Sequence, residues 1–365
     1  MQNYVVQLQS EVFKTFRCQK AADSLDIDTA KKSIHHLSVS ADLKSHFNVG
    51  LIVGSSGSGK TTLAKQIFGK DCFNVSIDPA LPVIEQFPKD WSYDDCASAL
   101  NGIGLTSVPT WIRPVYTMSN GQRARAEAAL SMSNSQGLIC IDEWTSVVDR
   151  TVAKVMSHCV AKYTRKTNKQ VVLNSCHYDV IEWLNPDWII DCNEQKYIDR
   201  RAVVGTFERT DRLRLDIRPV SRETWKSFSK YHYLSERLPG GKIFTYGLFN
   251  GATQIGFQCF AAYIIGDQNT FFINRIVIHP DYAGLGMGIK LATETSRDMV
   301  RRGYRVKGKY SSVPLYKAML RHPEWVCTAI NKPIKQGKVG RKQEKSREKA
   351  MRSKTTTYHF DFVGK

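Results

Sequence analysis

Apolar runs of strand length recur in the first half of the chain, each ending in small or polar residues. Val49 to Val53 leads into a loop of glycine and serine, and Thr62 to Phe68 continues as a helix. Leu138 to Ile141 and Val171 to Cys176 are further apolar strands, ending at Asp142-Glu143 and at His177. From about Leu213 the rhythm changes. Leu213 to Val220 alternates like a strand, and Arg222 to Lys230 reads as a helix leading to Tyr231-His232-Tyr233. Ile243 to Gly266 is uncharged and long enough to raise a membrane span, but its alternation and the central Asn250-Gly251 predict a β-hairpin instead. Phe271 to Ile278 is a further strand, followed by His279-Pro280, the glycine-rich turn Gly284 to Gly288 and a helix from Ile289 to Arg301.

A length of 365 residues with 42% hydrophobic composition suits two domains with sizeable cores and excludes wholesale disorder. The nine cysteines are scattered and form no CxxC pair, so neither a disulfide framework nor a zinc ribbon is expected. A basic segment followed by an apolar one is missing from the first residues, and the expected location is a reducing cytoplasm. The net charge of +18 is unevenly divided. Residues 1 to 195 hold 19 Lys/Arg and 20 Asp/Glu, a net of −1, which leaves 33 and 14, a net of +19, for residues 196 to 365. Asn331 to Lys354 alone has ten basic and two acidic residues. Such a field favours phosphate backbones, with Lys335, Lys338, Arg341 and Lys342 as candidate contacts; a solvated basic tail is the alternative.

Gly54-Ser55-Ser56-Gly57-Ser58-Gly59-Lys60-Thr61 meets the GxxxxGK[ST] pattern between a strand and a helix. Its glycines let backbone N–H groups converge on phosphate oxygens, Lys60 neutralises the outer phosphates and Thr61 can ligate magnesium, so that Gly54, Ser55, Gly57, Ser58, Gly59, Lys60, Thr61 and Thr62, where the helix opens, are the candidate ATP contacts. Asp142 can orient the same magnesium and Glu143 can polarise an attacking water. Met118-Ser119-Asn120-Gly121-Gln122 lies upstream, Ser146 to Asp149 downstream, and His177 closes the series. In this order the elements resemble an ABC-type ATPase over residues 1 to 195, with a signature at Ser119, Gly121 and Gln122, a D-loop ending at Asp149, and a switch histidine at His177. Asn120 departs from the family's glycine. Gln86 stands in the place of the Q-loop glutamine or is a surface polar residue, and the short stretch after it implies an abbreviated helical subdomain. Tyr4, Phe13 and Phe16 are candidates for stacking on adenine. The resemblance implies a homodimer, in which one subunit's signature completes the other's ATP site.

The order of strand, His-Pro, glycine-rich turn and helix around Gly284-Leu285-Gly286-Met287-Gly288 resembles motif A of the GNAT acetyltransferases. There, backbone amides hold the pyrophosphate of acetyl-CoA, which carries the role to Val277, Ile278 and Gly284 to Gly288. Ala283 stands where the family usually has Arg or Gln. Tyr316, in Ser311 to Lys317, matches the tyrosine that protonates the departing thiolate, or is a packed aromatic. The base stays open among His232, Glu236, His279, Asp281 and a relayed water. Tyr231 to Leu238 and the segment after it are similar over some fifty residues to phage Mom-type DNA-modifying acyltransferases, making His232, Tyr233 and Glu236 substrate candidates.

The expected architecture is therefore an α/β P-loop ABC ATPase domain (1–195), a linker (196–212), a GNAT-like α+β domain with a mixed, largely antiparallel sheet (213–330), and a basic segment with a terminal strand (331–365). The expected function is ATP hydrolysis coupled to acyl transfer from acetyl-CoA to an amine on DNA or RNA. One alternative is an ABC ATPase whose second domain only grips nucleic acid. Another is an N-acetyltransferase for proteins or small amines.

Overall fold

Strands β1 (Gln2–Gln9) and β2 (Ile34–Ala41) pair antiparallel. The strands β3 (Val49–Val53), β4 (Leu138–Ile141), β5 (Gln170–Ser175), β6 (Trp188–Asp191) and β7 (Lys196–Asp199) form a separate sheet in the order β4-β5-β3-β6-β7. In it β3 runs parallel to β5 and β6, β4 runs parallel to β5, and β7 is antiparallel. A parallel strand with neighbours on both sides is covered on both faces, and all five residues of β3 are buried. Gly50 is needed there because a Cβ would lie 2.1 Å from Cζ2 of Trp188, which passes over it from β6. Leu37, Val39, Phe47, Ile52, Leu63, Val172 and Ile190 complete the core with Trp188. The C-terminal ends of β3, β4, β5 and β6 share one edge of the sheet, the usual place for ligands in open α/β sheets.

This arrangement belongs to a computed structural model that describes residues 1–9, 15–24, 34–43, 46–73, 75–134, 137–200, 215–232, 237–262, 269–331 and 356–364. They divide into two compact units, Met1–Asp90 with Ile112–Asp211, and Trp91–Trp111 with Arg212–Lys365. The candidate contacts Lys335, Lys338, Arg341 and Lys342, together with Phe13, Tyr233 and Glu236, lie outside the described residues.

The second unit holds a seven-stranded sheet made of β8 (Leu215–Pro219), β9 (Ile243–Asn250), β10 (Thr253–Ala262), β11 (Thr270–Ile278), β12 (Arg305–Tyr310), β13 (Trp325–Asn331) and β14 (Thr357–Phe362). The order is β13-β14-β12-β11-β10-β9-β8, and β11 with β12 is its parallel pair, so the sheet is mixed and largely antiparallel. A parallel pair needs a crossover, which the helix Met287–Arg301 supplies. Its Leu291, Ala292 and Met299 are fully buried; Ala292 and Met299 share a core with Phe260, Phe271, Phe360 and Val306, and Leu291 a second one with Leu248, Ile255 and Met287. β9 and β10 form the hairpin expected at Asn250-Gly251, with Gly251 at φ 59°, and no helix among the described residues is long and apolar enough to cross a membrane.

One local reading needs revision. Arg222 to Lys230 is not one helix but a 3-10 turn, a single α-turn at Trp225–Phe228 and another 3-10 turn ending at Tyr231. Its buried anchors, Trp225 and Phe228, stand three residues apart, a spacing that tight turns satisfy as well as a long helix does. Within residues 1–195, the segment Trp91–Trp111 holds the helices Tyr93–Gly102 and Val108–Trp111 and is grouped by its contacts with Arg212–Lys365. Tyr93–Gly102 starts with a reciprocal capping box between Ser92 and Asp95, and within this unit Asp94 pairs with Lys317 at 3.6 Å.

Candidate active sites

At the end of β3 the chain enters a loop with Gly54, Gly57 and Gly59 at φ 154°, 80° and 91°. The last two are left-handed, a conformation that turns successive N–H groups inward at low cost only for glycine. Lys60, 5% exposed, donates from Nζ to the carbonyls of Gly54 and Ser55 at 2.9 and 2.8 Å, so its charge is held over the loop. Thr61 donates from Oγ1 to Asp142 Oδ2 at 2.7 Å, and Asn174 on β5 donates from Nδ2 to Asp142 Oδ1 at 3.1 Å. These bonds join residues 81 and 32 positions apart in sequence into one oxygen-rich site, the donor type that magnesium takes.

Glu143 is left-handed at φ 50°, which is uncommon without glycine. Ser146 donates to Glu143 Oε2 at 2.6 Å. The N–H of Trp144 bonds the Asn174 carbonyl at 2.7 Å, and the His177 N–H donates to Ser175 Oγ at 3.1 Å. The ends of β3, β4 and β5 thereby bring Lys60, Thr61, Asp142, Glu143 and His177 to one edge.

Other sequence-predicted residues have local duties. Gln86 closes the loop before it, donating from Nε2 to the carbonyls of Asp78 and Leu81 and accepting from the Asp78 N–H. Ser119 accepts from the Gln122 N–H while its own N–H donates to Gln122 Oε1, which caps the helix Asn120–Asn134. Gly121 approaches Val152, to which an added Cβ would come within 3.3 Å. Asp149 caps the next helix, accepting from the N–H groups of Thr151 and Val152. Tyr4 packs on the core of the first unit, whereas Phe16 is 77% exposed under Lys20. Asn174 is the partner that sequence reading overlooked. A lone polar residue in an apolar strand that ends beside an acid is the available signal.

In the second unit β11 runs through Val277 and Ile278 to His279, and the turn that follows has Gly284 at φ 91° and Gly286 at φ 85°. Gly286 is the N-cap residue of the helix from Met287, with Leu285, Met287 and Gly288 around it. A glycine turn that runs into a helix start leaves the first N–H groups of the helix without partners inside it, the kind of terminus that suits a pyrophosphate. Ala283 is buried, so no polar side chain projects there. Tyr316 stacks on Tyr358, ring centroids 3.8 Å apart. His279 accepts from the Asp281 N–H at 3.3 Å and bonds the Tyr231 hydroxyl at 3.0 Å, so it both closes the turn and holds an aromatic.

His232 sits with its ring edge-on to Trp225, and its pKa is lowered to about 4 by burial and by the nearby Arg275. It is therefore neutral at pH 7. Because the folded value lies below the ordinary 6.5, the contribution of neutral His232 to stability is complete above pH 6.5 and is lost as pH falls toward 4. Within that window stability should drop by up to about 1.4 kcal/mol per pH unit. In urea unfolding at pH 7, 6 and 5, His232→Gln should flatten this part of the profile. Parallel profiles would show that the imidazole titrates normally.

Solved structures of two kinds are similar to parts of the chain. One is CbiO1 from Clostridium perfringens, part of an ABC transporter complex, at 15% identity over 43% of this chain and 80% of that one, TM-score 0.35. Another is the ribosomal-protein-S18-alanine N-acetyltransferase of Escherichia coli, at 11% identity over 41% and 95%, TM-score 0.31. A GNAT family acetyltransferase from Elizabethkingia anophelis with acetyl-CoA bound matches at 12% identity over 41% and 98%, TM-score 0.28. At such scores these likenesses carry no argument about activity. No family model matches the chain, and no curated protein does.

Proposed function

We propose that the chain is an ATP-driven homodimer that engages nucleic acid and transfers an acyl group from acetyl-CoA to an amine on it. The observation that carries this reading is the presence, in each of the two units, of a strand, a turn with left-handed glycines and a helix, the arrangement that binds phosphate groups. In the first unit Lys60 and the loop N–H groups would hold the triphosphate. Thr61 and Asp142 would hold magnesium, which when bound neutralises charge on the phosphates. Glu143 would orient water and take its proton, and His177 would lie against the outer phosphate.

In the second unit the turn Gly284 to Gly288 would hold the pyrophosphate of acetyl-CoA. The amine nitrogen attacks the thioester carbon, the C–S bond breaks, the amine proton leaves to a base, and Tyr316 returns a proton to the thiolate. The buried Ala283 and the stacked Tyr316 favour a second reading, in which this unit binds without catalysing. Excess positive charge in residues 196 to 365 supports a polynucleotide acceptor in either case.

Incubation with radiolabelled acetyl-CoA and DNA or RNA, followed by mass spectrometry of the nucleosides, separates the two. Label in a nucleoside supports transfer; binding of polymer without label supports the second reading. Polymer affinity should fall linearly with salt on logarithmic axes, with a slope of about −0.9 per duplex phosphate neutralised. Neutralising Lys335, Lys338, Arg341 and Lys342 together should make that slope shallower for all sequences alike. An unchanged slope would make the segment a solvated tail.

A further inference from the structure

The turn after β6 grips the phosphate-binding loop from outside. Ser55 gives both its N–H and its hydroxyl to Asn193 Oδ1, at 3.1 and 3.0 Å. Nδ2 of the same amide donates to the Tyr178 hydroxyl at 3.2 Å, and that hydroxyl donates to Asp191 Oδ1 at 2.9 Å. Asp191 Oδ1 also accepts the N–H groups of Asn193 and Glu194, at 2.9 and 3.1 Å, which fixes the shape of the turn. Contact is close here as well: a Cβ on Gly54 would come within 3.0 Å of the Cys192 Cβ.

Tyr178 directly follows His177, whose N–H bonds Ser175 Oγ, and Ser175 Oγ donates to the Trp144 carbonyl at 3.0 Å, next to Glu143. One row of hydrogen bonds and chain links therefore runs from Glu143 past His177 to the second residue of the P-loop. None of Tyr178, Asp191 and Asn193 belongs to a nucleotide-binding motif. The single Asn193 amide bonds Ser55, 138 residues away, at one end and Tyr178, 15 residues away, at the other, which a freely solvated turn would not require.

We propose that Asn193 is a positioning residue for the phosphate-binding loop, holding Ser55 so that the N–H groups from Gly57 to Thr61 keep their aim, and that Tyr178 acts through Asn193. The proposal rests on the reading of this unit as a nucleotide hydrolase. A network that pre-sets the loop lowers the cost of ordering it around phosphates, so its loss weakens binding more than chemistry.

The test uses the full chain with MgATP and compares Asn193→Ala, Tyr178→Phe and the double variant. Each single change is expected to raise the Kd and the KM for ATP about five- to tenfold, the worth of one or two hydrogen bonds, with kcat at saturating ATP within about twofold. The double variant should be no weaker than Asn193→Ala, since Tyr178 works only through it. An unchanged KM in Asn193→Ala, additive losses in the double variant, or a fall in kcat at constant KM overturns the proposal. A wild type that does not bind MgATP overturns the hydrolase reading and the proposal together; a wild type that binds, beside an unaffected Asn193→Ala, overturns the proposal alone.

Discussion

Glu143→Gln is expected to cut ATP turnover by about 10² to 10⁴, the usual range for removing a general base, while ATP stays bound. Glutamine keeps an oxygen for the Ser146 hydroxyl that bonds Glu143 at 2.6 Å, so the left-handed turn at φ 50° should survive the change. Bound ATP without turnover should also hold the protein as a dimer, visible by size-exclusion chromatography. Lys60→Ala removes the cation over the loop and should instead weaken nucleotide binding itself. Turnover at the wild-type rate in Glu143→Gln would remove Glu143 from the chemistry.

Gly286→Val should abolish acetyl-CoA binding, by at least about a hundredfold in calorimetry. Two effects act in the same direction. A β-branched residue at φ 85° is strained by about 1 to 3 kcal/mol, and relief of that strain turns the N–H groups away from the pyrophosphate. The added side chain also fills the space through which backbone approaches ligand. Far-UV circular dichroism should show the helix Met287–Arg301 retained, since its buried face does not include Gly286. Binding of acetyl-CoA to the variant at wild-type strength would show that the cofactor does not use this turn.

Much of the first unit was legible because the inner strands β3 and β5 are buried along nearly their whole length and the edge strand β4 is apolar throughout, so all three read as apolar runs, closing at Gly54, at Asn174-Ser175 and at Asp142. The hairpin β9–β10 was legible from Asn250-Gly251, since few dipeptides accept the turn conformation it needs. Helix content around Trp225 was overcalled, because two anchors three residues apart satisfy a 3-10 turn as well as an α-helix. Asn174, Tyr178 and Asn193 went unread for another reason. Each is an ordinary polar residue locally, and its role comes from partners brought close by parallel strands, which no short window of sequence contains. Gln86, Ser119 and Asp149, expected from a sequence resemblance to contact nucleotide, make bonds here within their own loops and helix starts.

The grouping of Trp91–Trp111 with Arg212–Lys365 has a consequence for how the chain comes off the ribosome. Residues 91 to 111 are made before the second stretch of the first unit, and the rest of their own unit begins only at residue 212, about a hundred residues later. At synthesis rates of roughly 5 to 20 residues per second, the segment waits on the order of 5 to 20 seconds for the sequence it joins. Truncation meets the same obstacle. A fragment ending near residue 211 keeps the two short helices without their companions, and one starting at 212 has the companions without the helices. Separating the units for study therefore calls for excising residues 91 to 111 from the first, closing the gap with a short linker, and supplying the same stretch to the second.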